Sequence, residues 1–210
     1  GTYNDNEIQV QKKDYKHNGD RVVLYAGTLK DEKSMKIVIN AFLLANLKGV
    51  VFHIYGFASS SFEKYLNELS TQYDNIKYLG FCHDRGKLLF EERQADLLLM
   101  LRDPNLEYTK YSFPSKLFEF LASGTPVLAS KLEGIPEEYY QYLFIAEKFD
   151  AESIAGNLKK IFSMPQADFN ELGSKAKNFI LNNKNPYIQM KKVLDYVYED
   201  NVKIHGNNVS

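Results

Sequence analysis

Cysteine and tryptophan are nearly absent from this 210-residue chain, which has one cysteine, Cys82, and no tryptophan. A single cysteine cannot form an internal disulfide or a thiolate metal cage, so both are excluded within the chain. The low cysteine count fits a reducing compartment. The chain can hold a core without cross-links, because a folded chain of this size removes roughly 70% of its unfolded surface from water.

Neither sign of charge is in excess, since 26 Lys and Arg stand against 27 Asp and Glu, for a net charge of −1. Without an overall basic field, a role in binding nucleic acid is disfavoured. Long hydrophobic runs are also missing: the longest, residues 97–101, is far too short to span a bilayer. No leader peptide is visible at the beginning of the sequence, so we expect a cytoplasmic protein. The four histidines are scattered and form no paired metal-binding motif.

Hydrophobic residues make up 44% of the chain and aromatic residues 14%, which excludes disorder for most of it. Short apolar segments alternate with stretches whose apolar residues recur at helical spacing. The predicted strands are 22–26, 50–55, 76–79, 96–101, 127–130 and 142–145. The predicted helices are 33–47, 60–73, 85–93, 114–122, 151–162, 167–181 and 186–198.

Strands that are apolar on both faces are typical of a parallel sheet covered by helices. The alternation predicts a single α/β domain with a Rossmann-like, doubly wound parallel sheet of about six strands and helices on both faces. This domain should span residues 21–200. Residues 1–20 are predicted to be a linker or leading segment with at most one short strand near residues 8–10, and residues 201–210 a loose tail.

Ligands of such sheets bind at the carboxyl ends of the strands, where this sequence places several glycines and one arginine. Gly27, Gly56 and Gly80 each follow a predicted strand, and Arg102 follows the most apolar one. Glycine lets a ligand or a second backbone come close, but it also makes simple turns. Both interpretations remain open for each glycine.

Residues 112–127 are the richest in candidate binding groups. Ser112, followed by a proline two residues later, predicts a helix N-terminus, whose unpaired amides attract phosphate. Ser115 adds a hydroxyl, and Ser112, Lys116 and Glu119 would share one face of the helix. That face suits a nucleoside diphosphate, because a carboxylate can accept hydrogen bonds from ribose hydroxyls. The same residues also fit a plain helix cap with an exposed ion pair, and spacing alone leaves both interpretations open.

This segment resembles the signature of the retaining glycosyltransferases of family 4, in the nucleotide-sugar half of the GT-B fold. The resemblance covers about residues 21–165, and its pieces follow the order of the family. They are the first strand with its glycine loop and lysine (24–33), the second strand (52–56), the stretch that meets the base (75–81), the Ala95-Asp96 pair, and residues 133–137. The resemblance implies the C-terminal, nucleotide-sugar-binding domain of such an enzyme.

The resemblance also implies roles for individual residues. Glu119 matches the family's second glutamate, which binds the ribose. The implied diphosphate site consists of Thr28, Lys33, Arg102, Ser112, Ser115 and Lys116. Phe81 and Cys82 would flank the base, and Gly27 and Gly56 would form the glycine loops. No catalytic residue is assigned within the chain, and no metal is expected, because lysines and helix amides offset the charge of the leaving diphosphate.

Two positions depart from the family pattern. The family's first glutamate is replaced by Tyr111, which removes the usual contact with the transferred sugar, and Glu107 is a nearby but unaligned substitute. The arginine usual after the first glycine is replaced by Thr28, so that Lys30 or Arg102 would supply the missing charge. These departures resemble a subgroup in which Pro-x-Lys precedes a single glutamate.

The resemblance implies a glycosyltransferase that moves a sugar from a nucleoside-diphosphate sugar, most commonly a UDP-sugar, to a glycan or lipid-linked acceptor. The acceptor site would lie on an N-terminal domain outside this chain, so the chain alone should bind the donor without transferring it. No cofactor is implied, and a longer protein could associate peripherally with the cytoplasmic face of a membrane. Two alternatives remain: a nucleotide-binding module without transferase activity, and another GT-B enzyme such as a sugar-nucleotide epimerase.

Overall fold

The computed structural model describes residues 20–184, which form a parallel sheet with helices on both faces. Within these residues the sheet has six strands in the order β3-β2-β1-β4-β5-β6. The strands are β1 (Arg21–Ala26), β2 (Val50–Tyr55), β3 (Ile76–Tyr78), β4 (Leu97–Met100), β5 (Val127–Ser130) and β6 (Phe144–Ala146). The helices are α1 (Glu32–Ala45), α2 (Ser60–Gln72), α3 (Arg85–Gln94), α4 (Glu107–Tyr111), α5 (Ser115–Ser123), α6 (Ala151–Phe162) and α7 (Gln166–Asn183), with a 3₁₀ helix at Glu137–Tyr142. The predicted doubly wound α/β fold is confirmed.

Alternate residues of each strand face opposite sides of the sheet, and each side packs on its own helices. Val23, Phe52 and Leu97 pack with α1, α2 and α6 on one side. Leu24 and Leu98 pack with α5 and α7 on the other. Both faces of the sheet are therefore shielded from water by helices, which explains why the strands are continuously apolar. None of the helices in the described part of the chain has the length and apolar character needed to cross a membrane.

The predicted strands and helices that fall within the described residues begin and end within two residues of the observed ones, and β2, β5 and α6 match at both ends. The sequence did not predict α4 or the 3₁₀ helix. These have five and six residues, too few to show a helical hydrophobic period. The predicted helix 186–198, the strand near residues 8–10 and the tail 201–210 lie outside the described residues.

The helix that carries Glu119 begins at Ser115, so the prediction that Ser112 opens this helix is wrong. Ser112 ends α4 in an extended conformation (φ −118°, ψ 123°), and its hydroxyl donates to the carbonyl of Tyr108 at 2.7 Å. Pro114 keeps the preceding residue, Phe113, out of the helical region, so a helix cannot run continuously from Ser112 into α5. The polar face predicted from Ser112 onward therefore starts one turn later.

Gly173 lies where α7 passes closest to the end of α5. A Cβ at this position would lie 2.1 Å from the carbonyl oxygen of Gly124 and 3.0 Å from Cδ of Pro126. Gly173→Ala should therefore lower the free energy of unfolding by about 1–3 kcal/mol, as overpacking does, in urea denaturation. Gly156→Ala in α6 is the matched control: its Cβ would meet open space, so alanine should stabilise the helix by up to about 1 kcal/mol. A Gly173→Ala variant as stable as wild type, or more stable, would contradict the close approach at Gly173.

Candidate functional site

The carboxyl ends of β1 and β4 lie side by side at the centre of the sheet, where the chain connections diverge. After β1 the chain enters α1 on one face, and after β4 it passes through α4 to α5 on the other face. Such a divergence opens a crevice at which open α/β sheets bind ligands. A cavity of about 580 Å³ occupies this crevice. Its polar lining consists of Tyr25, Thr28, Lys30, Asp31, Ser34, Arg102, Tyr108 and Lys116.

The glycine loops at the strand ends pack directly on one another beside this cavity. The amide of Gly56 donates to the carbonyl of Gly80 at 2.9 Å, and the amide of Gly27 donates to that of Tyr55 at 3.1 Å. A Cβ on Gly56 would lie 2.1 Å from the carbonyl oxygen of Gly27 and 2.9 Å from the side chain of Leu29. Gly56 is thus required for the close approach of two backbones, whereas Gly27 lines the cavity itself.

A series of alternating charges, here called the ion-pair chain, runs from the interior to the surface beside the cavity. It begins in α3 at Glu92, whose side chain is 0% exposed and whose Oε1 lies 2.8 Å from Nζ of Lys116. Lys116 also donates to Oε1 of Glu119, and Oε2 of Glu119 lies 3.6 Å from Nη2 of Arg85. The Glu119 carboxylate is therefore held between two cations, one lining the cavity and one largely exposed.

The pKa values in the ion-pair chain follow from burial and from the neighbouring charges. Burial raises the pKa of the Glu92 carboxyl to about 7, against the opposing charge of Lys116. Burial lowers the pKa of the Lys116 ammonium, but the charges and hydrogen bonds of Glu92 and Glu119 outweigh it and raise that pKa above its ordinary value. Lys116 is consequently charged, and Glu92 and Glu119 hold its ammonium in place even when no ligand is bound.

The residues predicted to bind a diphosphate are brought to one region, although not all of them line the cavity. Thr28, Arg102 and Lys116 line it. Lys33 and Ser115 are exposed in the first turns of α1 and α5 and are not part of the lining. An anion in the cavity would meet two of these cations, Arg102 and Lys116.

The first turn of α5 has no side-chain cap. Its N-cap residue is Pro114, and no side chain accepts a hydrogen bond there. Uncapped amides and the helix dipole favour an anion at this end. The hydroxyls nearest to these amides along the chain are those of Ser115 and of Ser112, which is exposed at the end of α4.

The loop between β3 and α3 carries the two residues predicted to flank a base. Phe81 is 57% exposed, and its ring centre lies 4.8 Å from that of His83 in an edge-to-face arrangement. The thiol of Cys82 donates to the carbonyl of Asp84 at 3.2 Å, and Asp84 caps α3. The loop therefore ends at the first residue of α3, where the ion-pair chain reaches the surface. An exposed aromatic ring here is available for a base to stack on.

Glu92 and Tyr108 are among the site residues that were not predicted from the sequence. Glu92 was missed because nothing in α3 marks it, rather than the adjacent Glu91, as the buried carboxylate. Tyr108 lines the cavity from the short helix α4, which the sequence did not reveal. Tyr111, in the position of the family's first glutamate, is 83% exposed and is not part of the lining, and Glu107 is exposed in the first turn of α4. Residues 20–184 hold no group of three or more His, Cys, Asp or Glu side chains arranged to bind a metal.

Solved structures with the same fold include glycosyltransferases. The chain is similar to Anabaena HepE (Alr3699), crystallised with UDP and glucose, at 18% identity and a TM-score of 0.67, over 94% of this chain and 55% of that one. It is similar to the C-terminal domain of LpcC, a glycosyl transferase group 1 family protein from Francisella tularensis, at 18% identity and a TM-score of 0.65, over 80% and 88% of the two chains. It is also similar to WaaG, a glycosyltransferase involved in lipopolysaccharide biosynthesis, at 19% identity and a TM-score of 0.63, over 85% and 50%.

These similarities define the fold as that of one domain of a GT-B glycosyltransferase. The family described as glycosyl transferases group 1 matches residues 7–185, and the chain belongs to this family. The chain spans about half the length of HepE and of WaaG, and most of the LpcC domain. No protein with a curated description is significantly similar to it in sequence.

Proposed function

We propose that this chain is the donor-binding domain of a retaining glycosyltransferase of the family 4 kind, which moves a sugar from a nucleoside-diphosphate sugar to a glycan or lipid-linked acceptor. The observation that carries the proposal is the position of the Glu119 carboxylate. It contacts Lys116, which lines the cavity of about 580 Å³, and Arg85, which follows the loop carrying Phe81. A carboxylate between a cavity and an exposed aromatic loop suits a ribose, with the diphosphate and sugar on one side and the base on the other.

Each part of a UDP-sugar has a matching group along this line. The base would stack on Phe81, and the ribose hydroxyls would donate to Glu119. The diphosphate would accept hydrogen bonds from the first amides of α5, from Thr28 and from Arg102. The sugar would occupy the cavity beside Tyr108. Uracil is favoured as the base because HepE, which has the same fold, was crystallised with UDP and glucose.

Transfer breaks the bond between the anomeric carbon and the diphosphate oxygen, and negative charge then develops on the leaving UDP. Arg102, Lys33 and the α5 amides would stabilise that charge, so the reaction as proposed does not depend on a metal. The acceptor and its binding groups would come from a second domain. A lipid-linked acceptor would place the whole protein at the cytoplasmic face of a membrane.

The test is calorimetric titration of this chain with UDP, GDP, ADP and uridine. We expect UDP to bind most tightly and uridine more weakly, because uridine lacks the diphosphate. We also expect no sugar transfer from UDP-glucose by the chain alone. Failure to bind any of the three diphosphates would refute the donor-binding role. Transfer by the chain alone at the usual enzyme rates of about 1 to 1000 per second would refute the division between two domains.

A nucleotide-binding module without transferase activity is the second candidate function. It is favoured by Tyr111, which is 83% exposed in place of the family's first glutamate, and by the uncharged Thr28. Release of UDP from a UDP-sugar by the longer protein, in the presence of acceptor, would exclude it. Formation of a different UDP-sugar without any acceptor would instead indicate an epimerase.

Lys33 allows a test of the diphosphate assignment, because a matched lysine lies one turn away in α1. The ammonium of Lys36 lies 5.7 Å and 5.2 Å from the ring centres of Phe62 and Tyr65, on the α2 side. Lys33→Ala should weaken UDP binding about 3- to 10-fold and leave uridine binding unchanged, and the loss should shrink in high salt. Lys36→Ala should change neither affinity. If UDP and uridine lose equally in Lys33→Ala, Lys33 does not contact the phosphates.

A further inference from the structure

Glu92 is the only carboxylate that is buried among the described residues, with a side chain that is 0% exposed. Its backbone is fixed as well, because the hydroxyl of Thr125 donates to its carbonyl at 2.8 Å. A buried carboxylate is unfavourable unless it is paired, and well-packed apolar residues often stabilise a protein more than a buried ion pair does. Fold stability alone therefore does not account for a carboxylate at this position.

The only cation within ion-pair distance of Glu92 among the described residues is Lys116, whose ammonium lies between Glu92 and Glu119. Oε1 of Glu119 faces Lys116, and Oε2 faces Arg85 at the end of the base loop. Lys116 thus links the interior carboxylate of Glu92 to the carboxylate of Glu119, which is assigned to the ribose. Glu92 itself lies too deep to contact a nucleotide.

We propose that Glu92 is a positioning residue for ribose recognition, which holds Lys116 from beneath and thereby fixes the Glu119 carboxylate where ribose hydroxyls bind. This inference rests on the proposed donor-binding function. With Glu92 ionised, the Lys116 charge is shared between two carboxylates, and Glu119 keeps the negative charge that makes it a strong acceptor. Without the Glu92 charge, Lys116 is held by Glu119 alone and neutralises that carboxylate more fully. The Glu119 carboxylate then loses both its fixed position and its strength as a hydrogen-bond acceptor.

The test is the ratio of the dissociation constants of 2′-deoxy-UDP and UDP, here called the ribose preference, in wild type and in Glu92→Gln. In wild type the ribose preference should be about 10- to 150-fold, the value of a charge-assisted hydrogen bond. In Glu92→Gln, which keeps the shape of the side chain, it should fall about fivefold or more. Glu91→Gln removes the same charge from the adjacent, half-buried residue and should leave the ribose preference unchanged. A purely structural role for Glu92 would weaken both ligands equally and would not move the ratio.

The outcomes separate this inference from the function on which it rests. No ribose preference in wild type would overturn the assignment of Glu119 to the ribose, and with it the inference. A wild-type preference that persists in folded Glu92→Gln would overturn the positioning role alone.

Should Glu92→Gln fail to fold, pH titration of wild type tests the same point, because protonation removes the same charge. Since burial raises the pKa of Glu92 to about 7, the ribose preference should fall as the pH is lowered from about 8 to about 6. The charged groups that face Glu92 are Lys116 and Glu119 of α5, and Arg85 of its own helix pairs with Glu119. The terminal phosphate titrates in both ligands and cancels in the ratio. A ribose preference that is constant over this range would overturn the positioning role.

Discussion

Replacing Lys116 with methionine should lower the free energy of unfolding by about 1.4 kcal/mol at about pH 8, because the buried Glu92 carboxyl loses its cation and takes up a proton instead. Glu92 is 0% exposed, and its Oε1 lies 2.8 Å from the lysine ammonium. Water cannot replace the lost cation at such a position. Methionine keeps the unbranched apolar stem of lysine, so most of the packing is retained. Urea denaturation measures the change.

The loss of stability in Lys116→Met should depend on pH, and the protonation of Glu92 determines whether it grows or shrinks as the pH rises. Burial raises the pKa of this carboxyl from 4.5 to about 7 in the folded protein, so folding favours its protonated form. The stability that this preference contributes is complete below about pH 4.5 and is lost as the pH rises through about 7. The charge of Lys116 lowers the pKa of Glu92, so the removal of Lys116 raises that pKa further. The free energy of unfolding of Lys116→Met should therefore be close to that of wild type at about pH 5 and fall below it as the pH rises.

A surface lysine and a double variant are the controls for this prediction. Lys64 pairs with Glu68 at 3.9 Å, but the two side chains are 81% and 66% exposed. Lys64→Met should therefore change stability by no more than about 0.5 kcal/mol at either pH. The double variant Lys116→Met with Glu92→Gln should recover most of the loss, because no buried charge remains. An equal loss at both pH values would show that packing, and not charge, is responsible.

The sheet could be predicted from the sequence because burial on both faces leaves a strong local signal. A strand such as β4, with four buried residues in a row, can exist only between two layers of helices. The strand order was not predicted, because right-handed crossovers are compatible with more than one order of a doubly wound sheet. The carboxyl edge that carries the site was predictable, because ligands of such sheets bind at the carboxyl ends of the strands.

The details of the site were less predictable, because they depend on contacts between residues far apart in the sequence. Spacing identified Lys116 and Glu119 as neighbours, but it could not show that both are mostly buried or that Glu92 lies beneath them. Ser112 was assigned to the wrong helix because Pro114 keeps Phe113 out of the helical region, so the helix that carries Glu119 can begin only after Phe113. Tyr108 was missed because a helix of five residues leaves no periodic signal.

Glu119→Ala should remove the preference for UDP over 2′-deoxy-UDP, which is the largest binding effect expected from any single side chain of the site. If Glu119 accepts hydrogen bonds from the ribose hydroxyls, wild type should bind UDP about 10- to 150-fold more tightly than the deoxy nucleotide. The variant should bind both ligands with the same affinity. Calorimetric titration of each protein with each ligand gives the four dissociation constants that are needed.

Comparing two ligands within each protein is essential, because Glu119 is not a plain surface residue. Its side chain is 17% exposed and pairs with Lys116 and Arg85, so its removal also disturbs the ion-pair chain and should cost some stability. A loss of stability alone would weaken both ligands together and leave their ratio unchanged. Glu107→Ala provides the matched control, since Glu107 is an exposed carboxylate on the neighbouring helix α4, and it should retain the full ribose preference. The same preference in wild type and in Glu119→Ala would refute the role of Glu119 in binding ribose, and its loss in Glu107→Ala would transfer that role to Glu107.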